Sequence, residues 1–159
     1  MQLYIKQKAF SWRCRFAVKD AAGNDRWCAE GKAFSWTHEL RVYDARGEQA
    51  ARIYRKNWTF FSQQYFIEAG GQQYLLVKEF SFGRPRFRLE GLPWRMEGNF
   101  WAHDYTLSEG ERTVMRISKH WFTWGDSYEL DIPNPRDELL CLCITLAVDC
   151  MVEDASNSN

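Results

Sequence analysis

Apolar and polar residues alternate with period two along most of the chain, and the alternation is interrupted at regular places by Asp, Asn and Gly. Phe16-Ala17-Val18-Lys19-Asp20 precedes Gly23, Leu40-Arg41-Val42-Tyr43-Asp44 precedes Gly47, and Tyr65-Phe66-Ile67-Glu68-Ala69 precedes Gly70-Gly71. Gly23, Gly47 and Gly71 thus follow one another at an even 24-residue spacing. Fainter copies occur at Phe87-Arg88-Leu89-Glu90-Gly91 and at Tyr105-Thr106-Leu107-Ser108-Glu109 before Gly110, and Tyr128-Glu129-Leu130-Asp131-Ile132 supplies a last strand of the same kind. Each unit combines an alternating run, residues that tolerate positive φ, and a second alternating run, which is the pattern of a β-hairpin. The return strands are predicted over Arg26–Glu30, Ala50–Tyr54, Gln73–Val77, Trp94–Glu97 and Thr113–Ser118. Segments such as Ala33-Phe34-Ser35-Trp36, which echoes Ala9-Phe10-Ser11-Trp12, join one unit to the next. A propeller blade takes about 40 residues and a solenoid wants polar end repeats, and neither leaves a place for the segment that ends the chain. Roughly a dozen short strands with only four prolines predict a closed antiparallel barrel, which removes exposed sheet edges.

After Ile132 the period changes. Asn134 can cap a helix whose first position is Pro135, with Asp137 and Glu138 in the first turn, where carboxylates suit the dipole. From Leu139 to Val152 only Thr145 and Asp149 are clearly polar, so this helix has no charged face to offer water and must be enclosed by protein or by lipid. Fourteen residues reach only about 21 Å, well short of the ~30 Å hydrocarbon core, and Asp149 interrupts them. Twelve strands, in turn, close into a barrel too wide for side chains alone to fill. The two requirements meet if the helix is threaded through the barrel. The expectation is therefore one mainly-β domain over residues 1–152, a barrel of about twelve strands around a helix at about 135–152, followed by a disordered polar tail at 153–159.

Composition narrows the function classes. The 159 residues are the size of one domain. Lys plus Arg equals Asp plus Glu at 21 each, so the bulk attraction of a basic chain for nucleic acid is absent and no nucleic-acid partner is expected. Any anion site must be local. The chain opens straight into alternation with no signal-type segment, which leads to an expectation of a cytoplasmic protein. Five cysteines (Cys14, Cys28, Cys141, Cys143, Cys150) form no framework and are expected as reduced thiols. Cys141 and Cys143 have no second ligand pair at zinc spacing, so no metal is expected.

Several ordered motifs carry a family likeness over nearly the whole chain, from Leu3 to about Asp149: Leu3-Tyr4-Ile5-Lys6-Gln7-Lys8, the paired Phe-Ser-Trp segments, His103-Asp104-Tyr105, Ile117-Ser118-Lys119, and Trp121-Phe122-Thr123-Trp124-Gly125-Asp126-Ser127-Tyr128. Together they resemble the LURP-one-related family, which is similar to the tubby C-terminal domain and the phospholipid scramblases. The resemblance implies a twelve-stranded, tubby C-terminal-like barrel around a central C-terminal helix. The wider superfamily brings phosphoinositide binding and calcium-dependent lipid movement, but neither transfers by motif. No residue of a tubby phosphoinositide site can be placed here, and Asp20-Ala21-Ala22-Gly23-Asn24-Asp25 lacks the ligand spacing and closing Glu of an EF-hand loop.

Among candidate sites, Arg84, Arg86 and Arg88 form the densest basic patch, with Arg86 and Arg88 on one strand face and Phe87 and Leu89 on the other. They could hold a phosphate; the ordinary alternative is a solvated face with Arg95 and Glu97 opposite and Glu supplying a cross-strand ion pair. Lys6, Lys8, Arg13 and Arg15 form a second alternating set. His103-Asp104 and Ser118-Lys119-His120 contain groups used in catalysis, yet no nucleophile elbow, zinc-protease motif, phosphate-cradling glycine loop or dinucleotide fingerprint is present, so neither a catalytic residue nor a cofactor is expected. Trp121, Phe122, Trp124 and Tyr128 are expected to pack as a layer against the helix. The leading expectation is a non-catalytic binding module, with phospholipid headgroups or a peripheral membrane surface as the ligand class. The alternatives are a hydrolase-like enzyme with a site near His103 or His120, and a protein-interaction scaffold.

Overall fold

The computed structural model describes residues 1–7, 14–31, 38–59, 62–81, 84–122 and 125–156. Over these residues the chain forms β1 (Gln2–Gln7), β2 (Phe16–Asp20), β3 (Asp25–Glu30), β4 (Glu39–Asp44), β5 (Gln49–Thr59), β6 (Ser62–Ala69), β7 (Gln72–Ser81), β8 (Arg84–Glu90), β9 (Arg95–Asn99), β10 (Asp104–Glu109), β11 (Arg112–Phe122) and β12 (Gly125–Asp131). A 3-10 turn at Pro135–Asp137 then leads into α1 (Glu138–Ser156). Each strand pairs antiparallel with its neighbours in sequence, and β1 pairs with both β2 and β12, which closes the barrel and confirms the architecture expected from the alternation.

The repeat has a structural cause. Asp20 Oδ1 accepts hydrogen bonds from the amides of Ala22 and Asn24, and Asp44 Oδ1 accepts from those of Arg46 and Glu48. In both hairpins the amide of the glycine bonds back to the Asp carbonyl, Gly23 at φ +84° and Gly47 at φ +82°, and the register shifts by one just inside the turn. This is a tight turn with a glycine bulge, so Asp and Gly recur because one carboxylate and one left-handed residue build each turn. Asp20 therefore serves its own turn.

Inward positions alternate as expected: Leu3 and Ile5, Phe16 and Val18, Leu40 and Val42, Tyr65 and Ile67, Phe87 and Leu89, Leu107, and Leu130 are all buried. They surround α1, in which every residue from Cys141 to Met151 is buried. Three turns of helix with no wet face can exist only inside an apolar sleeve. At its start, Asn134 accepts a hydrogen bond from the Arg136 amide, with Pro135 in the first turn.

Both ends of the helix are tied to the wall. Glu138, buried, receives a two-pronged bond from Arg26 (2.8 and 2.9 Å) and one from the Trp27 indole (2.7 Å). Burial opposes its charge, but these donors hold the carboxyl below its ordinary pKa. At the far end the helix continues through Ser156, so Glu153–Ser156, expected in a disordered tail, are helical instead. The physical reason is that Glu153 pairs with Arg15 and accepts from Gln7 (2.6 Å), while Asp154 accepts from the Tyr65 hydroxyl (2.8 Å). Residues 157–159 lie outside the described residues.

Leu142 is fully buried at the middle of the sleeve. Leu142→Ala is expected to cost about 2–5 kcal/mol in chemical denaturation, and a chain ending at Ile132 to lose its cooperative melt. A cost under about 1 kcal/mol would mean that the helix is not packed on all sides.

Candidate functional site

The arginine face lies on the outside of β7, β8 and β9. Arg86 and Arg88 are exposed while Phe87 and Leu89 point inward, as the period-two pattern requires. Arg84 opens β8 opposite Ser81, and its side chain lies outside the described residues. Across the β8–β9 seam Arg88 stands directly opposite Arg95, so the position facing it carries a like charge, and Glu97 stands opposite Thr106 on β10 instead. Glutamates reach Arg88 from other directions: Glu90 along its own strand at 2.5 Å, and Glu79 of β7 at 3.4 Å, which also faces Arg86 in the register. The patch thus gathers Arg86, Arg88 and Arg95, with only Arg88 in an ion pair among the described residues.

Arg15 of the second basic set is half-buried and committed to Glu153, whereas Lys6 is exposed; Lys8 and Arg13 lie outside the described residues. The side chains of Trp121, Phe122 and His120, and the whole of Trp124, also lie outside them. Tyr128 is buried.

The structure brings together one group that the sequence pattern did not assemble. His103 sits in the connection from β9 to β10 with φ +49°, an uncommon conformation for a residue with a side chain. Its amide bonds to the Phe100 carbonyl (3.2 Å) and Asn99 Oδ1 accepts from the Ala102 amide (3.1 Å), so a compact turn tips the ring inward. The ring stacks on Tyr128 with centroids 4.3 Å apart, and Nε2 lies 3.6 Å from Asp149 Oδ1 of α1. The Tyr128 hydroxyl donates to the same carboxylate oxygen (3.2 Å). Asp104, adjacent in sequence, is exposed on the other side of the strand, so the His103-Asp104 pair does not share a site.

Burial pushes the Asp149 carboxyl up to about 7, with Glu153 adding repulsion; the Tyr128 hydrogen bond and the charges of Arg15 and Lys119 only partly offset this. The other oxygen, Oδ2, has no hydrogen-bond partner. His103 and Asp149 are both buried, 6% and 3% exposed. The thiols are equally quiet. Burial pushes Cys143 up to about 12 and holds Cys141 and Cys150 higher still, so none of the three is a thiolate nucleophile. Among the described residues no cluster of three His, Cys, Asp or Glu is arranged to hold a metal ion.

At the opposite end of the barrel, a polar cleft of about 420 Å³ opens between the β4–β5 and β6–β7 turns, lined by Gln49, Arg52, Glu68, Gly70, Gly71 and Gln73. The Arg52 guanidinium is engaged there by Glu39 at 3.0 Å. No described helix is long and apolar enough to cross a membrane.

Residues 1–149 match the family model described as LURP-one-related, and the chain belongs to that family. It is 33% identical over 150 residues to the uncharacterised protein YxjI of Bacillus subtilis strain 168, covering 94% of this chain and 92% of that one. The X-ray structure of a protein from Arabidopsis thaliana superposes with a TM-score of 0.59 at 13% identity, over 93% of this chain and 89% of that one, which shows a shared fold.

The raised pKa of Asp149 sets a sign for pH dependence. The folded state holds a proton there that the unfolded chain releases near pH 4, so stability from this group is full below that and is lost as pH rises toward about 7. Asp149→Asn, which keeps an acceptor for Tyr128, is expected to flatten this slope and to gain roughly 1–3 kcal/mol at pH 8 in denaturant melts. An unchanged slope between pH 5 and pH 8 would mean that Asp149 is ionised throughout.

Proposed function

We propose that this LURP-one-related chain works by binding and not by catalysis, in the cytoplasm, with an anionic phospholipid headgroup or membrane surface as its ligand and the outer arginine face of β8 and β9 as the contact. The observation that carries the reading is the like-charged pair Arg88–Arg95 beside exposed Arg86. Like charges directly opposite on neighbouring strands cost stability. A face that holds them together gains from a phosphate that two guanidiniums can grip at once. Glu79 and Glu90 hold Arg88 in place, leaving Arg86 and Arg95 turned to solvent.

Two further features support binding over catalysis. The barrel interior is occupied by α1, so the enclosed volume that ligand-carrying barrels reserve for a substrate is taken by the protein itself. The sequence-flagged histidine that meets a carboxylate, His103, is sealed beneath the β9–β10 turn, without an activated nucleophile among its hydrogen-bond partners given above. As for a protein-interaction scaffold, Trp101 is the one large hydrophobic side chain exposed among the described residues, well short of an apolar docking patch.

Co-sedimentation with vesicles of phosphatidylcholine, alone or with phosphatidylserine, tests the proposal. Binding is expected only to the anionic vesicles, to weaken with salt, and to fall about tenfold in an Arg86→Ala, Arg95→Ala variant that melts like the parent. Equal sedimentation of parent and variant, or none with either vesicle, would remove it.

A further inference from the structure

The end of the barrel around the C-terminus of α1 holds a concentration of donors that the arginine face does not involve. Glu153 is bound by Arg15, which immediately precedes β2, and by Gln7 at the end of β1. Asp154 is bound by the Tyr65 hydroxyl of β6 (2.8 Å), by His38 Nδ1 just before β4 (3.3 Å) and by Arg55 of β5 (3.8 Å). Beside them Lys78 of β7 is fully buried, donating to the Met151 carbonyl (3.3 Å), with Nζ 5.4 Å from the centre of the Trp101 ring. Gln63, directly opposite Lys78 in the β6–β7 register, is 3% exposed, and its Oε1 has no hydrogen-bond partner. The rim is completed by Trp101, which is 49% exposed.

Two things are unexpected in this collar if it is only a structural anchor. The C-terminal end of a helix carries the negative end of its dipole, where acidic side chains are unfavourable and basic ones are wanted. Yet α1 has no basic residue in its last turn and carries Glu153 and Asp154 there. Those acids are stable there because the collar supplies guanidinium, imidazole and phenol donors, a set suited to an oxyanion. The second is the Gln63 carboxamide, buried opposite Lys78 with its Oε1 unpartnered, an amide whose NH2, turned to the collar, is one more donor for an oxyanion.

We infer that the collar of Arg15, His38, Arg55, Tyr65 and Lys78 is an oxyanion-binding site for a phosphate monoester, occupied in this structure by the chain's own Glu153 and Asp154. An external monocarboxylate competes poorly with side chains tethered at an effective concentration in the millimolar range or above. A phosphate monoester brings close to two negative charges and three acceptor oxygens, enough to engage several collar donors together. Displacement costs little elsewhere, because only the last turn beyond the buried Cys141–Met151 stretch must give way. Trp101 stands half-exposed beside Lys78, where its ring can cover whatever the phosphate is attached to.

The experiment uses the full chain and two probes carrying the same headgroup chemistry, soluble glycerol 3-phosphate and phosphatidylcholine vesicles with or without phosphatidic acid, at about pH 7.5, where the monoester is mainly a dianion. Neutralising the occupants with Glu153→Gln and Asp154→Asn is expected to tighten glycerol 3-phosphate binding by about tenfold or more in calorimetry. Adding Arg15→Gln is expected to abolish the gain. Tighter binding to the soluble probe without a gain on phosphatidic acid vesicles assigns the site to free phosphate esters, and a parallel gain on vesicles assigns it to headgroups; either result supports the inference. If the double variant does not fold, the parent is titrated instead, and the Arg15 Nε–H and Trp101 indole signals are expected to shift saturably with glycerol 3-phosphate below about 50 mM. Affinities within twofold in parent and folded variant, or no saturable shift in the parent when the variant does not fold, would overturn it. Arg86→Ala with Arg95→Ala leaves the collar intact, so its loss of vesicle binding and a failure of the collar are read separately.

Discussion

A helix with no wettable face governs this structure. From Cys141 to Met151 every side chain is out of water, which no helix resting on a sheet can achieve, because one side of such a helix always faces solvent. Enclosure on all sides demands a closed wall, and a closed wall demands that β1 return to β12. The filler is as necessary to the barrel as the barrel is to the helix, since a ring of twelve strands left empty would have inward side chains with nothing to touch.

The same constraint shapes where polar chemistry can sit. A rod filling the lumen leaves most polar groups to the outer strand faces and the two ends of the barrel. At the turn end, Glu138 is held by Arg26 and Trp27; at the other, Glu153 and Asp154 are held by groups from several strands. The few polar groups that do lie inside are bought at a cost: Asp149 is kept near neutrality by burial, and His103 is held at positive φ so that its ring can reach it. Such groups give a core its register more readily than they give it stability.

The two proposed anion sites differ in kind. On the arginine face, neighbouring cations are held apart by backbone register and partly neutralised by glutamates on the same surface, so that a ligand there would meet a shallow, salt-sensitive contact. In the collar, cations are recessed and already answered by carboxylates of the same chain, so that a ligand must compete. In the proposed scheme the surface contact would set association and the occupied recess a threshold, and one barrel can accommodate both because they lie on separate parts of its wall.

Local rules made the barrel legible in advance. Strand parity set Phe87 and Leu89 on the face opposite Arg86 and Arg88, and Asp with Gly marked the turns, because alternation and positive φ depend on only a few neighbouring residues. An apolar run without a polar face called for burial wherever it lay. Parity also places Lys78 on the inward face with Leu76, and Asp149 in an apolar helix asks for a partner, so both were visible as exceptions. Which partner answered each one was not. His103 meets Asp149 and Tyr128 across separations of 46 and 25 residues along the chain, Arg15 meets Glu153 from nearly the opposite terminus, and Arg88 faces Arg95 and not Glu97 through a single register step. Charge and polarity are properties of one residue, but pairing depends on barrel closure and strand stagger, which exist only once the whole ring has formed.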